Sequence, residues 1–298
     1  MSWFLVAIAS YIANAGASVT DKFLLRRLVP HPAVYAFFVS LMGAAVVIAA
    51  PFVMEDASSA VVSASMVSGF AFTGALFFYY TALKANEASR IVPFVGSMTP
   101  IAVLILASLF LGETLAPIQL VGFALVVIGT AVLAEEGNIE HRLGGHAVML
   151  GVLAAVLFAV SHVAVKYVYL IHPFGSGLVW RGLGGAAAAL FLFLIPVNRR
   201  RILAEIGDKE VKTEGIVILG QGFAATGFLL FNYALSLGPV SLVNALSGVQ
   251  YAFLFLATIV LSRVAPNVMK EPLPLHEIWM KSIGIAVVAI GLVAIFIT

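Results

Sequence analysis

The sequence predicts an all-α integral membrane protein in which ten transmembrane helices form two inverted repeats of five. Apolar residues make up 62% of the 298 residues and charged residues 10%, whereas soluble globular chains average roughly 45–50% and about 25%. The apolar runs approach the roughly twenty residues of a membrane-spanning helix, unlike the roughly ten-residue alternating strands of a membrane β-barrel. The third observation is an internal duplication.

The duplication is clearest between residues 78–115 and residues 231–263. At one constant offset an Ala-Leu pair falls on an Ala-Leu pair, and Gly96 falls on Gly248. The chain therefore consists of two copies of one unit.

Ten apolar runs, bounded by charges and prolines, mark the helices in chain order. In the first repeat, residues 1–140, they cover 3–24, 33–53, 62–84, 89–111 and 117–135. In the second repeat, residues 141–298, they cover 145–168, 174–197, 214–236, 240–262 and 277–297. Because five is odd, the two copies must enter the membrane from opposite sides, and a solute site is then expected near the midplane between them.

Several helix boundaries recur in both repeats. Lys22 closes the first helix as Lys166 closes the sixth, and a His-Pro pair, at His31 and at His172, precedes the second and the seventh. The first helix starts at Trp3 without a basic leader, so we expect a retained helix and not a cleaved signal peptide.

Two connections are longer than the others. Residues 197–215 carry three consecutive arginines, and residues 263–277 carry three prolines. Since polar connections normally lie at the protein surface, we expect both to be solvated connectors.

The distribution of basic residues predicts an orientation. All Lys and Arg except Lys166 and Arg181 lie in or beside the connections that follow the odd-numbered helices. The positive-inside rule then places these connections in the cytoplasm and both termini outside. We expect the inner or plasma membrane of a prokaryotic cell.

Several functional classes are excluded or disfavoured. The chain has no cysteine, which rules out disulfides, thiolate metal sites and cysteine nucleophiles. The net charge of +2 does not suggest a nucleic-acid partner. No metalloprotease, nucleophile-elbow or P-loop motif is present, so we expect no catalytic residue, metal site or cofactor. A lipid-modifying enzyme and a channel remain distant alternatives.

Three features identify a family. They are residues 79–101, YYTALKANEASRIVPFVGSMTPI, the Leu-Gly-Glu-Thr turn at 111–114, and the lysine-ended, paired five-helix units. In these features the chain resembles the drug/metabolite transporter superfamily, in its ten-helix EamA-type members. It implies a transporter of small organic solutes that works by alternating access, with the fifth and tenth helices at the periphery. Pro100 falls opposite Ala252, Glu113 has no clean counterpart, and the family usually has both termini in the cytoplasm.

Ionisable groups within the membrane are costly and usually face a cavity or a partner, so each is a functional candidate. Arg181 could bind a carboxylate or phosphate through two parallel hydrogen bonds, or tie its helix to backbone carbonyls. Trp180 could stack on a solute or anchor at the interface. Lys166, with His162 one turn earlier, could hold an anionic group. Lys22 could form a gate, and both lysines could instead be interfacial anchors.

Amides and tyrosines complete the predicted solute site. Intramembrane amides commonly join helices, and tyrosines would line an aromatic cavity suited to an amphipathic solute. These candidates are Asn14, Tyr79, Asn232, Tyr233, Asn244, Gln250 and Tyr251.

Prolines and glycines lead to predictions about helix shape. Prolines lack a backbone donor and should kink or break the fourth helix. Glycines give the fifth and tenth helices flat faces for close packing or for dimerisation. The residues are Pro93 and Pro100, and Gly122, Gly129, Gly284 and Gly291.

The internal duplication and the family resemblance together predict a secondary transporter of a small organic metabolite, working in export or exchange. An amino acid or related amphipathic compound is favoured over nucleotide sugars, organic phosphates and quaternary amines. The expected partners are the solute and the lipid bilayer, with the protein as a monomer or homodimer.

Overall fold

The computed structural model describes residues 2–25, 31–85, 88–134, 144–207, 214–264 and 275–297. Within these ranges the chain is almost entirely helical and contains no β-strand. In chain order the helices are α1 (Ser2–Leu25), α2 (Pro32–Gly43), a 3-10 helix (Ala44–Ala49), α3 (Ala50–Val53), α4 (Ser59–Ala85), α5 (Ala88–Leu111), α6 (Pro117–Ala134), α7 (Gly145–Ile171), α8 (Phe174–Leu194), α9 (Pro196–Gly207), α10 (Glu214–Leu237), α11 (Val240–Ala245), α12 (Ser247–Val264) and α13 (Leu275–Phe296).

The all-helical membrane fold is confirmed. Eight stretches of the described chain are long and apolar enough to cross a membrane. α6 is a shorter apolar helix, and α10 occupies the eighth predicted segment. The count of ten spans therefore stays a prediction, and so does the division into repeats, whose boundary lies at 135–143, outside the described residues.

The second predicted helix, 33–53, changes its winding midway. α2 begins at Pro32, where a proline loses nothing because first-turn N–H groups have no intrahelical partner. After Gly43 the chain winds as a 3-10 helix and then forms the short α3, with Pro51 in its first turn. Pro51 cannot donate to the carbonyl four residues earlier, so a continuous α-helix is disfavoured here.

The fourth and ninth predicted helices differ in continuity. α5 runs without interruption through Pro93 and Pro100, so neither proline breaks it, as packed neighbours can compensate for the lost hydrogen bonds. The ninth segment, without proline, is divided at Leu246 into α11 and α12. When Gly248 is aligned with Gly96, Leu246 stands opposite the residue that follows Pro93.

The connection at 197–215 was expected to be solvated, but its first part is helical and packs on the bundle. It begins within α9, a twelve-residue helix that contacts α2 and α8. Ile202 is fully buried against the bundle, and burial of this apolar side chain favours a docked helix over a solvated strand of chain. The other long connector, 263–277, lies almost entirely outside the described residues.

The main contacts of the bundle join the two halves of the chain. α1 packs along α10, and α4 packs along α7. If the repeats are exchanged, the first helix becomes the sixth and the third becomes the eighth, so these two pairs are equivalent. α6 and α13, the fifth helix of each half, pack along each other.

Glycines allow α6 and α13 to approach closely. A Cβ built on Gly122 would stand 2.8 Å from the carbonyl oxygen of Gly291, and one on Gly129 would stand 2.9 Å from that of Gly284. Such contacts are too short for a real side chain, so these faces meet only because both carry glycine. They are covered within a single chain.

Candidate functional site

Buried polar side chains meet where α4, α7, α8, α10 and α11 come together. Polar groups so far from water need hydrogen-bond partners, and their bonds define the site. We call it the polar core, and it consists of Ser68, Ser161, His162, Tyr169, Arg181, Asn232 and Asn244.

Arg181, on α8, lies at the centre of the polar core and is only 4% exposed. Its Nε donates to Oγ of Ser68 at 3.1 Å, and its Nη1 donates to Oδ1 of Asn232 at 3.2 Å. The sequence left open a bond to backbone carbonyls, but both partners are neutral side-chain oxygens, one from each half of the chain. Within the described residues no carboxylate forms an ion pair with Arg181.

Aromatic rings cover the guanidinium on two sides. Its central carbon lies 5.1 Å from the ring centroid of Phe72 and 4.9 Å from that of Phe228. Cation–π contacts contribute about 0.5–2 kcal/mol each, less than the several kcal/mol needed to remove an ion from water. A cavity of about 20 Å³, lined also by Gly69 and Gly182, has room for about one water molecule. Arg181 therefore carries a charge that the described residues do not neutralise.

Asn232 is held so that its oxygen faces Arg181. Its Nδ2 donates to the carbonyl of Phe228 at 2.8 Å, one turn earlier on α10. Its Oδ1 accepts a second hydrogen bond, from the hydroxyl of Tyr169 at 3.0 Å. The amide thus joins α7, α8 and α10.

His162 and Asn244 form the second hydrogen-bonded pair of the polar core. Nδ1 of His162 lies 2.7 Å from Oδ1 of Asn244, whose Nδ2 donates to the carbonyl of Val240 at 2.9 Å. Because the amide oxygen can only accept, Nδ1 is the donor and Nε2 is the acceptor of the neutral ring. Phe158 and Phe231 contact the imidazole, with centroids 6.2 Å and 4.9 Å away.

Lys166 bonds to the main chain, which differs from both sequence expectations. Its Nζ donates to the carbonyls of Leu235 and Gly238, each at 2.9 Å. Leu235 lies in the last turn of α10 and Gly238 directly follows the helix. Carbonyls at a helix C-terminus lack intrahelical donors and carry partial negative charge. Lys166, 8% exposed, is therefore a buried helix cap.

Glu113 caps the next helix, α11, from the first half of the chain. Its Oε2 and Oε1 accept from the N–H groups of Val240 at 2.9 Å and Ser241 at 3.0 Å. Gly112 has a φ of +64°, and the N–H of Glu113 bonds to the carbonyl of Ala107 at 3.2 Å. This Schellman-type end of α5 turns the carboxylate toward α11, where a negative charge is favourable.

Asn14 and Gln250 lie on the α1 side of the bundle. Nε2 of Gln250 donates to Oγ of Ser18 at 3.1 Å, and Ser18 donates to the carbonyl of Asn14 at 2.9 Å. The side chain of Asn14 packs against Gly227 of α10. These contacts join α1 to α10 and α12 and do not include Arg181.

Two tyrosines of the predicted site extend from the polar core toward α5. The hydroxyl of Tyr251 donates to the carbonyl of Val92 at 3.3 Å. The ring of Tyr79 lies 6.4 Å from that of Phe158, the same ring that stacks on His162. Tyr79 is thus connected to the polar core through the ring of Phe158.

Tyr233 and Trp180 are less central than the sequence suggested. Tyr233 is 43% exposed and contacts Phe174, because the next position on α10 is rotated by about 100° from buried Asn232. The indole N–H of Trp180 is buried without a hydrogen-bond partner among the described residues. The side chains of Lys22 and Pro93 lie outside the described residues.

Sequence reasoning missed Ser68, Ser161 and Tyr169 of the polar core, and the two rings beside Arg181, Phe72 and Phe228. Ser68 and Phe72 are one turn apart on α4, as Phe228 and Asn232 are on α10, so each polar residue shares a face with a ring. Tyr169 follows Lys166 by one turn. Serine and phenylalanine are so frequent in this chain that only helix spacing could have singled them out.

The chemistry of the polar core is suited to binding. Arg181 could exchange Ser68 or Asn232 for the oxygens of a ligand, because side chains can rotate away without unwinding a helix. Among the described residues, no group of three His, Asp or Glu could hold a metal ion.

Comparisons with known proteins concern the family and the fold. Residues 1–134 match the family model of the EamA-like transporter family. No curated protein matches the chain. One crystal structure is similar over 98% of this chain and 96% of its own, with a TM-score of 0.68 and 17% sequence identity, which shows a shared fold. The first 134 residues are therefore similar to the EamA-like transporter family, which is part of the drug/metabolite transporter superfamily, and the apolar helices identify the chain as a multi-pass integral membrane protein.

Proposed function

We propose that the protein is a secondary transporter of a small organic metabolite with an anionic group, an amino acid or a related amphipathic compound. It works by alternating access, in export or exchange. One observation carries the proposal: buried Arg181 is bound only by neutral side-chain oxygens and has no carboxylate partner within the described residues.

The position of Arg181 supports a role in the transport cycle. Ser68 comes from the first half of the chain and Asn232 from the second. Since Arg181 itself belongs to the second half, a solute that replaces Ser68 changes a contact between the halves, and one that replaces Asn232 changes a contact between α8 and α10. A ligand can shift a conformational equilibrium only through such differential contacts.

The surroundings of Arg181 favour a carboxylate on an amphipathic solute. The guanidinium presents a planar fork that matches a carboxylate or a phosphate, and a single cation with neutral amides balances one negative charge. Phe72 and Phe228 would contact the apolar part of the solute. A doubly charged organic phosphate would leave one charge unbalanced in a low-dielectric site.

The test is counterflow into proteoliposomes loaded with unlabelled amino acids. Labelled phenylalanine, threonine, a sugar phosphate and a quaternary amine are offered in parallel. We expect transient accumulation of an amino acid, and Arg181→Gln should abolish it without a large change in thermal unfolding. Lys84→Gln, which removes an exposed cation, is the matched control.

Three results would contradict the proposal in whole or in part. Flat traces for all four solutes, from folded protein, would argue against a carrier of these compounds. Accumulation of the sugar phosphate alone would show that the protein is a carrier whose solute carries a phosphate and not a carboxylate. Full flux in Arg181→Gln would show that Arg181 does not bind the solute.

A further inference from the structure

α9 presents a basic surface that the proposed transport does not use. Its residues Arg199–Arg201 are all exposed. α9 starts at Pro196, directly after the membrane-spanning α8 ends at Leu194, so the arginines lie at one end of the membrane-spanning bundle. In a bilayer, lipid headgroups surround this end of the bundle.

The orientation of α9 is determined by three contacts. Ile202 is fully buried against the bundle. Nη1 of Arg201 bonds to Nε2 of His31. The guanidinium of Arg199 lies 5.9 Å from the ring centroid of Phe193 on α8. The remaining surface of α9 therefore has a defined direction.

This remaining surface combines two arginines with an exposed leucine. Leu203 follows Arg199 by four residues and Arg200 by three, so the three side chains share one face of the helix. Leu203 is 49% exposed. Basic residues beside an apolar side chain are typical of helices at the boundary between headgroups and acyl chains, where long basic side chains reach the phosphates.

The charge of this face is not balanced locally. Within the described part of the chain, neither Arg199 nor Arg200 forms an ion pair with a carboxylate, and Glu205 is the single acid of α9. Each basic residue near an anionic lipid surface strengthens association about fivefold. Two of them would distinguish anionic from zwitterionic lipid.

We infer that α9 is a binding site for an anionic phospholipid. Arg199 and Arg200 hold the phosphate of the headgroup, and Leu203 contacts the start of the acyl chain. Ile202 and the contact of Arg201 with His31 hold the helix in place.

The test is native mass spectrometry of the full chain, titrated with phosphatidylglycerol or with phosphatidylcholine. We expect more phosphatidylglycerol than phosphatidylcholine to remain bound. Arg200→Gln should weaken phosphatidylglycerol binding about fivefold and the double variant R199Q/R200Q more than tenfold, whereas phosphatidylcholine binding stays unchanged. Lys281→Gln, which removes one cation from α13, should have no effect.

Three controls separate the lipid site from a loss of folding and from a site for free phosphate. R199K/R200K should retain most of the binding because it keeps the charge, and thermal unfolding of all variants should match the wild type. Soluble glycerol phosphate should not displace the lipid. Equal binding of the two lipids, an unaffected double variant, or displacement by glycerol phosphate would each overturn the lipid site.

Discussion

Lys166 and Arg181 are both buried cations of the second half of the chain, yet they are bound in different ways. Lys166 donates to two main-chain carbonyls at the end of α10, whereas Arg181 donates to two side-chain oxygens. Main-chain carbonyls cannot turn away without unwinding the helix, but side-chain oxygens can. The partners of Lys166 are therefore fixed, whereas those of Arg181 can be exchanged, as the proposed solute binding requires.

Lys166 and Arg181 also differ in the negative charge near them. Lys166 has the Glu113 carboxylate in its neighbourhood, and Glu113 caps α11 while Lys166 caps α10. The turn between these helices is thus held by a cation on one side and an anion on the other, as the helix dipoles favour. Arg181 has no such anion within the described ranges, so a solute can supply it.

The strongest test of this comparison is Lys166→Met. It keeps the apolar stem but leaves two buried carbonyls without a donor, at about 1–3 kcal/mol each. We expect a clearly lowered temperature of thermal unfolding. Arg181→Met, measured beside it, should abolish transport and change unfolding much less. The reverse pattern would assign Arg181 to stability and Lys166 to the solute.

Glu113→Ala should have the next largest effect on stability. The variant removes both acceptors from the N-terminus of α11, and loss of such a cap costs about 0.5–2 kcal/mol. The double variant K166M/E113A should lose less than the sum of the two, because both residues hold one turn. Additive losses in thermal unfolding would show that the two caps act separately.

Asn232→Asp would convert the neutral partner of Arg181 into a carboxylate. The new anion would compete with the anionic group of a solute, and we expect the KM for counterflow to rise at least tenfold, about 1.4 kcal/mol, with folding retained. The control is Gln250→Glu, which replaces an amide that does not contact Arg181 by a carboxylate. An unchanged KM in Asn232→Asp would show that the solute does not bind at Arg181.

The smallest effect is expected for Arg201, an exposed cation bound by His31. Partial burial, followed by the charges of Arg201 and Lys84, lowers the pKa of His31, so its neutral ring accepts from Arg201. A lowered histidine pKa contributes stability above about 6.5 that is lost as the pH falls below it. The effect is small because the pair is exposed. The difference in unfolding temperature between wild type and His31→Gln should shrink from pH 7.5 to 5.5, and a difference that grows would contradict the geometry.

Sequence and structure agree best where the membrane imposes the answer. The bilayer requires long apolar helices, so composition and segment length predicted the all-helical fold, and the helices follow the predicted segments within a few residues. α9 and the division at Leu246 were not predicted. α9 depends on one buried isoleucine, and the division lies in a segment without proline or an unusual residue.

The sequence by itself determined that this chain crosses the membrane many times, it predicted that the halves repeat, and it marked Arg181, Lys166, His162 and the amides as exceptional. Only the tertiary structure decided which of them meet. The rotation of each helix and the packing of α8 beside α10 placed Asn232 on Arg181 and turned Tyr233 outward. They also set Lys166 on a helix end contributed by α10. Hydrogen bonds between residues far apart in the chain depend on atomic distances, and no periodicity within a single helix encodes these.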